Sequence, residues 1–253
     1  MTDPRLQRMA KVLVNYSIGL KKGERLALLS PAIAAPLVRE IYREAIRVGG
    51  LAETFISLPG LSEILYKNGS DEQLTYIPPA RRLIFEEYET MISLWAETNT
   101  KALNNVDHAR VALSHKASQE LMDTYLRRSS EGSFRWVGAL YPTDASAQDA
   151  EMSLEEFEDF AYRACFLDEE DPVARWKELS QQQERRVQWL KGKHTVHLRG
   201  QDTDLTLSIE GRPFINCDGH LNFPDGEFFT GPVENSATAI FATVFPAPST
   251  ASL

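Results

Sequence analysis

The segment 216–236 carries the densest set of residues that could do chemistry. It reads NCDGHLNFPDGEFFTGPVENS and places one carboxylate, Glu227, among turn sequences rich in glycine and proline. Rigid turns can hold a carboxylate in a fixed position without a long packed element, which suits a metal ligand or a general base. A β-hairpin with an exposed glutamate has the same pattern. The residues alone leave both interpretations open.

Other candidate sites in the sequence favour structural roles. His194 and His197 form an H-x-x-H string, but odd spacing on a strand points the rings to opposite faces, so we do not expect a shared metal. The acidic runs at 155–159 and 168–171 lack the ligand spacing of a calcium loop and indicate solvated helix faces. Cys165 lies on the apolar side of a predicted helix, which is typical of an inert thiol. Neither phosphate-binding glycine motifs nor a serine-hydrolase elbow occur.

The charge composition excludes several classes of partner. The chain has 27 Lys and Arg against 36 Asp and Glu, a net charge of −9, and its basic residues are scattered. We therefore expect no nucleic-acid partner. The longest nearly apolar stretch, 26–38, contains two prolines and is shorter than the roughly 20 residues that span a bilayer, so we expect no membrane insertion. Two cysteines and a polar N-terminus without a signal-peptide pattern predict a cytoplasmic protein.

The elements that must position Glu227 begin with alternating helices and strands. Apolar residues recur at helical spacing over 6–20 and 33–48, and the Gly49-Gly50 pair marks the end of the second helix. Short apolar runs at 25–29, 51–57 and 90–95 predict buried strands. Strands separated by helices of this length favour a parallel sheet with helices packed on it, in a doubly wound arrangement.

The next part of the chain, 107–190, is predicted to be mainly helical, with one strand at 134–139. Ser153 and Glu156 have the spacing of a capping box, and Asp171-Pro172 matches the start of another helix. The helix after Ser153 is predicted to bury a stripe made of Leu154, Phe157, Phe160, Ala161 and Ala164.

The character of the sequence changes to β after residue 190. The runs 194–199 and 204–209 predict short strands, the second with alternating apolar and polar residues. A chain of 253 residues that is 43% hydrophobic is long enough for one large or two modest domains. We predict an α/β fold, with a largely parallel sheet flanked by helices in an N-terminal domain at 1–190, followed by a β-rich partial second domain at 191–253.

A series of short motifs resembles the M29 family of metal-dependent aminopeptidases. The resemblance runs from about residue 4 to 236, and its most specific element is the N-x-P-D-G-E-x-F-T-x-P string at 222–232. The other motifs lie, in chain order, at 142–143, 152–160, 163–165, 171–172 and 203–206.

The resemblance implies a function and a site. Glu227 matches the position of a ligand in a two-metal centre, and Asn222, Asp225 and Gly226 would fix its carboxylate. In such a centre two divalent cations about 3.5–4 Å apart polarise the scissile carbonyl and hold a bridging hydroxide. The implied activity is release of the N-terminal residue from short peptides with zinc, cobalt, manganese or magnesium, by a homodimer.

The sequence also departs from the family pattern. The family takes its other site residues from its C-terminal half: a second Glu, two His, a Tyr and an Asp, none of which can be placed here. We therefore expect 191–253 to be an incomplete start of the catalytic domain, in a naturally shortened, frameshifted or deliberately shortened relative. One carboxylate binds a divalent ion weakly, so we expect this chain alone to hold metal loosely and to be inactive.

Two other hypotheses stay open. The chain can be a non-catalytic remnant of the family that dimerises or binds peptides. Alternatively, it is one fragment of an enzyme whose catalytic half is encoded separately. An unfinished domain exposes strand edges or apolar surface, so we expect self-association in each case.

Overall fold

The computed structural model describes residues 3–200, 203–236 and 238–241, and the chain divides into two compact units. The first unit lies within Met1–Glu178 and Asp218–Gly226, and the second lies within Leu179–Cys217 and Glu227–Leu253. The chain thus leaves the first unit after residue 178, returns to it for a short segment, and leaves it again immediately before Glu227.

The described residues form ten α-helices and ten strands. The α-helices are α1 Pro4–Lys11, α2 Ala35–Val48, α3 Leu61–Asn68, α4 Asp71–Thr75, α5 Pro79–Glu87, α6 His108–Ala117, α7 Gln119–Ser130, α8 Asp144–Asp149, α9 Leu154–Ala164 and α10 Pro172–Leu190. The strands are β1 Arg25–Pro31, β2 Leu51–Ser57, β3 Thr90–Trp95, β4 Arg135–Leu140, β5 Thr195–Gly200, β6 Thr203–Ser208, β7 Ile215–Cys217, β8 Asn222–Phe223, β9 Glu227–Phe229 and β10 Thr238–Phe241. None of these helices has the length and apolar composition needed to cross a membrane.

A five-stranded parallel sheet organises the first unit. Its strands follow the order β2-β1-β3-β4-β8, and each neighbouring pair runs parallel. The order matches the doubly wound pattern in which strands are added outward in both directions from the centre. The α/β prediction is therefore confirmed. The strand predicted at 90–95 coincides with β3. The pairing of β8 with β4 was not predicted.

A glycine explains why α2 ends at Val48. Gly49 adopts a left-handed conformation with φ of 84° after α2, which a residue with a side chain would adopt only with strain. α1 continues directly into a π-helix at Val12–Ser17, a local widening that the apolar spacing did not predict.

One core cluster packs on the sheet between α5 and α7; its buried members are Ala27, Ile84, Phe85, Tyr88, Met91, Leu121 and Phe134.

The start of α9 confirms the predicted capping box, but its buried stripe was partly wrong. Ser153 and Glu156 cap each other's backbone, as predicted. Ala161 is buried as predicted, whereas Phe160 is 60% exposed and Ala164 is exposed as well. The helix also buries Tyr162, which the predicted stripe did not include. The guanidinium carbon of Arg5 lies 4.6 Å from the ring centroid of Tyr162, and this cation–π contact favours the side of the helix on which Tyr162 is buried.

The second unit contains two small antiparallel sheets, with orders β10-β6-β5 and β7-β9. The two histidines near its start have different partners. His194 Nδ1 lies 3.4 Å from a Glu210 carboxylate oxygen, and His197 Nε2 lies 2.7 Å from Asp204 Oδ1. The two histidines of the H-x-x-H string therefore contact two different carboxylates.

An ion pair at the base of the sheet makes stability depend on pH. Arg25 Nη2 lies 2.8 Å from Glu89 Oε1, and the Arg25 backbone N–H donates to Glu89 Oε2 at 2.8 Å. These hydrogen bonds from Arg25 lower the pKa of Glu89 from 4.5 to about 2. Because the folded pKa is the lower one, the pair stabilises the fold above pH 4.5, and this contribution is lost as the pH falls toward 2.

Replacing Glu89 with glutamine should lower the free energy of unfolding at pH 7 by about 1 kcal/mol or less, since both side chains are partly exposed and screened by water. Urea unfolding of the wild type and the variant between pH 7 and pH 3 measures the effect. We expect the difference to narrow steadily below pH 4.5. A constant difference across this range would contradict the assignment.

Candidate metal site around Glu227

Glu227 is the first residue of β9 in the second unit. β9 pairs antiparallel with β7, and Glu227 lies opposite Cys217 in the register. The Glu227 side chain is exposed, so its carboxylate is available to a ligand. Glu227 thus lies in an antiparallel strand pair with an exposed carboxylate, as in the hairpin interpretation, but residues 218–226 with β8 separate the two strands. The exposed carboxylate is compatible with a metal ligand as well.

A buried amide of α10 contacts the backbone of this strand pair. Gln183 is 1% exposed, and its Nε2 lies within hydrogen-bond distance of the Cys217 carbonyl oxygen at 3.1 Å and of Asn216 Oδ1 at 3.0 Å. The same nitrogen donates to the Glu227 carbonyl oxygen. Asn216 Nδ2 in turn donates to the Ser180 carbonyl oxygen at 3.1 Å. The first residue of β9 is thus fixed at its backbone by Gln183, a residue of α10 that lies in the same unit.

The loop that precedes Glu227 in sequence belongs to the first unit and is closed by its own polar groups. Asp225 Oδ2 accepts a hydrogen bond from the Gly219 N–H at 3.0 Å. His220 Nδ1 lies 2.6 Å from Asp218 Oδ1. Gly219 and Gly226 have φ of 91° and 124°, a backbone region that favours glycine. The predicted roles of Asp225 and Gly226 as turn residues therefore fit the loop.

Tyr16 of the π-helix packs against this loop. Its hydroxyl donates to the Asp218 carbonyl oxygen at 3.0 Å, and its ring centroid lies 4.5 Å from that of His220. Burial raises the pKa of the Tyr16 hydroxyl, and the nearby Asp218 and Asp225 carboxylates raise it further. Tyr16 consequently stays protonated and acts as a hydrogen-bond donor to the loop.

Trp176 packs against the loop that precedes Glu227 in sequence. It is fully buried, its ring lies 5.4 Å from that of Phe223, and its indole N–H donates to the Cys165 carbonyl oxygen at 3.2 Å. A Cβ on Gly219 would lie 3.3 Å from the indole, so the ring and the loop backbone are in close contact. Burial raises the pKa of the Cys165 thiol, in agreement with its predicted inert role.

The four residues singled out from the sequence fall in both units. Asn222, Asp225 and Gly226 lie in the first unit and Glu227 lies in the second. Asn222 is exposed and pairs with Gly138 of β4. Tyr16, Trp176 and Gln183 were missed as site residues, because their contacts join positions far apart in sequence. Trp176 lies in the second turn of the helix predicted to begin at Asp171-Pro172, and this large apolar side chain was the one available signal.

The Glu227 carboxylate and the side chains around it can be compared with the ligands that the implied two-metal centre needs. The exposed Glu227 carboxylate fits one oxygen ligand of a hard or borderline divalent ion. Within the described ranges, no group of three or more His, Cys, Asp and Glu side chains is placed to hold a metal ion. Glu227 therefore fits as a single ligand, and the other ligands of such a centre have no counterpart in this part of the chain.

Comparison with known proteins gives consistent matches. The family model described as "Thermophilic metalloprotease (M29)" matches residues 2–250. Aminopeptidase 2 from Geobacillus stearothermophilus is 25% identical in an alignment of length 257 that covers 91% of this chain and 61% of that protein. Aminopeptidase T from Thermus thermophilus is 23% identical in an alignment of length 251 that covers 90% of this chain and 61% of that protein.

A solved structure supports the fold. Wild-type AmpT from Thermus thermophilus superposes with a TM-score of 0.76 and 20% identity, over 93% of this chain and 63% of that chain. The chain thus spans about three-fifths of the length of the curated relatives that it matches.

Proposed function

Since the chain belongs to the M29 family of metallopeptidases, we propose that it forms part of a metal-dependent aminopeptidase in which Glu227 is a metal ligand. The observation that carries this proposal is an exposed carboxylate at the rigid start of β9, within the family's most specific sequence string. The relatives named as aminopeptidases support the reaction class.

The proposed substrates are short peptides with a free N-terminus. Zinc, cobalt, manganese or magnesium would supply the Lewis acid and a hydroxide for hydrolysis when bound. Glu227 would provide one negatively charged oxygen ligand to that ion. Asp225, Gly219 and Tyr16 keep the preceding loop in one conformation through the contacts described above.

We further propose that the complete centre needs the ligands that the family takes from its C-terminal half. The described residues offer one matching ligand, so this chain alone should bind divalent ions weakly, because water would keep the remaining coordination positions. A cytoplasmic homodimer remains the proposed setting.

Release of N-terminal residues from short peptides, with each of the four ions added in turn, tests the proposed incomplete centre. We expect the 253-residue chain alone to release them no faster than the ion alone. Rapid release that is lost in Glu227→Gln would contradict the incomplete centre while supporting the aminopeptidase reaction. Rapid release that is unchanged in Glu227→Gln would contradict the role of Glu227.

A second candidate function is a non-catalytic module that dimerises or binds peptides. It is favoured by an exposed apolar surface, because α3 buries none of its residues, and Leu61 and Ile64 are 53% and 59% exposed. Ile56 and Leu58, at the end of the edge strand β2 and just beyond it, are exposed as well. Metal titration of the wild type and Glu227→Gln, together with sedimentation equilibrium, distinguishes the functions: a stable dimer without Glu227-dependent metal binding would favour the module.

A further inference from the structure

We propose that an apolar cavity beside the carboxyl ends of β1, β2 and β3 binds a medium-chain fatty acid, a small monocarboxylate. The apolar body of the ligand would lie against the sheet and its carboxylate at Arg81. All residues that line the cavity belong to the first unit. The inference goes beyond the proposed function, because it depends neither on Glu227 nor on a bound metal ion.

The cavity lies where the strand order of the sheet reverses. β2 is added to one side of β1 and β3 to the other, and open α/β sheets usually bind ligands at the carboxyl ends of strands at such a point. Pro31 and Ser57, the last residues of β1 and β2, line the cavity and are partners in the register. Ser93 lines it from β3 and lies opposite Leu29 of β1. Three adjacent strands therefore form one wall of the cavity.

This wall is mainly apolar and continues the core cluster between the sheet and α5. The cavity has a volume of about 860 Å³, within the range of about 300–1,000 Å³ found for small-molecule sites. Its larger apolar side chains are Leu29, Phe55, Ile84, Phe85, Met91 and Leu94. Leu29 and Phe55 are only half-buried beside the buried members of that cluster. An apolar ligand would remove their remaining exposed surface from water, which favours binding.

Arg81 determines which charge the ligand should carry. Among the described residues it is the only charged one that lines the cavity. The neighbouring Arg82 is already paired, since its Nη1 lies 2.9 Å from Glu86 Oε1. The guanidinium carbon of Arg81 instead lies 6.0 Å from the ring centroid of Phe85, which also lines the cavity. The Arg81 guanidinium is therefore available to a carboxylate, whose two oxygens match its donor geometry.

Two neutral hydroxyls complete the polar part of the lining. Side chains alternate between the two faces of a strand, so Ser57 lies on the same face as Phe55, and Ser93 on the same face as Met91. Phe55 and Met91 pack in the core cluster, so both hydroxyls lie on the face of the sheet that bears the cavity. One guanidinium compensates a single negative charge. A monocarboxylate therefore fits better than a dianionic phosphate, whose second charge would lack a partner.

The test is a titration of octanoate into the ¹⁵N-labelled full chain, followed by NMR, which locates the ligand and measures its affinity. Hexanoate shortens the apolar body by two CH₂ groups, and octylamine keeps the chain length but reverses the charge. Arg81→Met removes the guanidinium and keeps an apolar side chain. Arg82→Met is the matched control, because it changes the net charge equally and lies on the same helix. Circular dichroism verifies that each variant is folded.

We expect the amide signals of Ser57, Ile84 and Ser93 to shift first with octanoate. Its affinity should exceed that of hexanoate by about twofold to fourfold for each CH₂ group, because the apolar body is removed from water. Arg81→Met should weaken octanoate binding by about fivefold, the upper end of what an exposed ion pair contributes, and Arg82→Met by less than about twofold. Octylamine should bind more weakly than octanoate.

Several results would overturn the inference. Absence of octanoate binding, equal losses in the two arginine variants, or equal affinity for octanoate and octylamine would each do so. Shifts that begin at Ser70 and Ser114 would as well, because these residues line a neighbouring cavity that Arg81 also borders. Signals of the cavity that change with protein concentration alone would show that a second copy of the chain occupies it, and this would also contradict the assignment.

Discussion

Replacing Glu227 with glutamine is expected to weaken binding of Mn²⁺ or Co²⁺ to this chain by at least about tenfold. The substitution keeps the shape of the side chain and removes its negative charge, which supplies most of the attraction for a divalent ion. In a protein with the complete centre the loss should be larger. Replacing a residue that only orients a metal ligand lowers metal affinity or activity by about 10–100-fold. Losing the ligand itself should therefore lower kcat/KM by at least about a hundredfold.

Isothermal titration calorimetry measures this effect. Glu234→Gln is the matched control, because Glu234 is exposed in the same segment and lies seven residues further along. Its substitution changes the net charge equally, so it reports the non-specific attraction of an acidic protein for cations. Equal losses of affinity in the two variants would show that Glu227 has no special role.

Replacing Trp176 with alanine is expected to lower the free energy of unfolding by about 3–5 kcal/mol, which is the usual cost of removing a buried indole. Trp176 is fully buried between Phe166 and Phe223, with ring centroids 5.4 Å away in both directions. The cavity would lie directly beneath Gly219, so amide exchange at 219–223 should accelerate more than exchange in the β1–β3 core.

Urea unfolding of Trp176→Ala and Trp176→Phe separates packing from hydrogen bonding. Phenylalanine keeps an aromatic ring and loses the N–H that donates to the Cys165 carbonyl, so its cost should be smaller. A loss below about 1 kcal/mol in Trp176→Ala would contradict the central position of the indole, since it would mean that the surrounding residues fill the space.

Local signals in the sequence predicted much of the fold. The β3 strand is a short apolar run between polar residues, and its predicted bounds coincide with the observed ones. Asp171 was predicted as a helix cap from its place before Pro172, and its carboxylate accepts from the Ala174 N–H at 3.0 Å. Such features depend on a few neighbouring residues, so the sequence pattern is sufficient to identify them.

Contacts between distant positions were not predictable in the same way. β8 has two residues and pairs with β4 in the sheet. Asn222 of β8 lies opposite Gly138 of β4, which is 84 positions earlier in the sequence. No local pattern in a two-residue strand identifies its partner. The π-helix that carries Tyr16 also has an apolar spacing close to that of an ordinary helix, which hides its contact with the loop before Glu227.

The residues of the candidate site show the same difference between local signals and contacts of distant positions. Glu227 was identified from glycine and proline spacing and from the family resemblance, because turn residues leave a signature in the sequence. Gln183 lies in a helical run of three glutamines at 181–183, and the sequence does not distinguish the buried one from its neighbours. Burial and the three oxygen partners, which only the fold brings together, distinguish it.

The position of a bound ion tests the central claim most directly. Mn²⁺ broadens the NMR signals of nearby nuclei even when it binds weakly, so titrating it into ¹⁵N-labelled protein locates the ion. We predict that the amide signals of Gly226, Glu227 and Phe228 broaden first, and that Glu227→Gln abolishes this preference. Broadening that begins elsewhere, for example at the acidic run 168–171, while these three signals stay sharp, would contradict the assignment of Glu227 as a metal ligand.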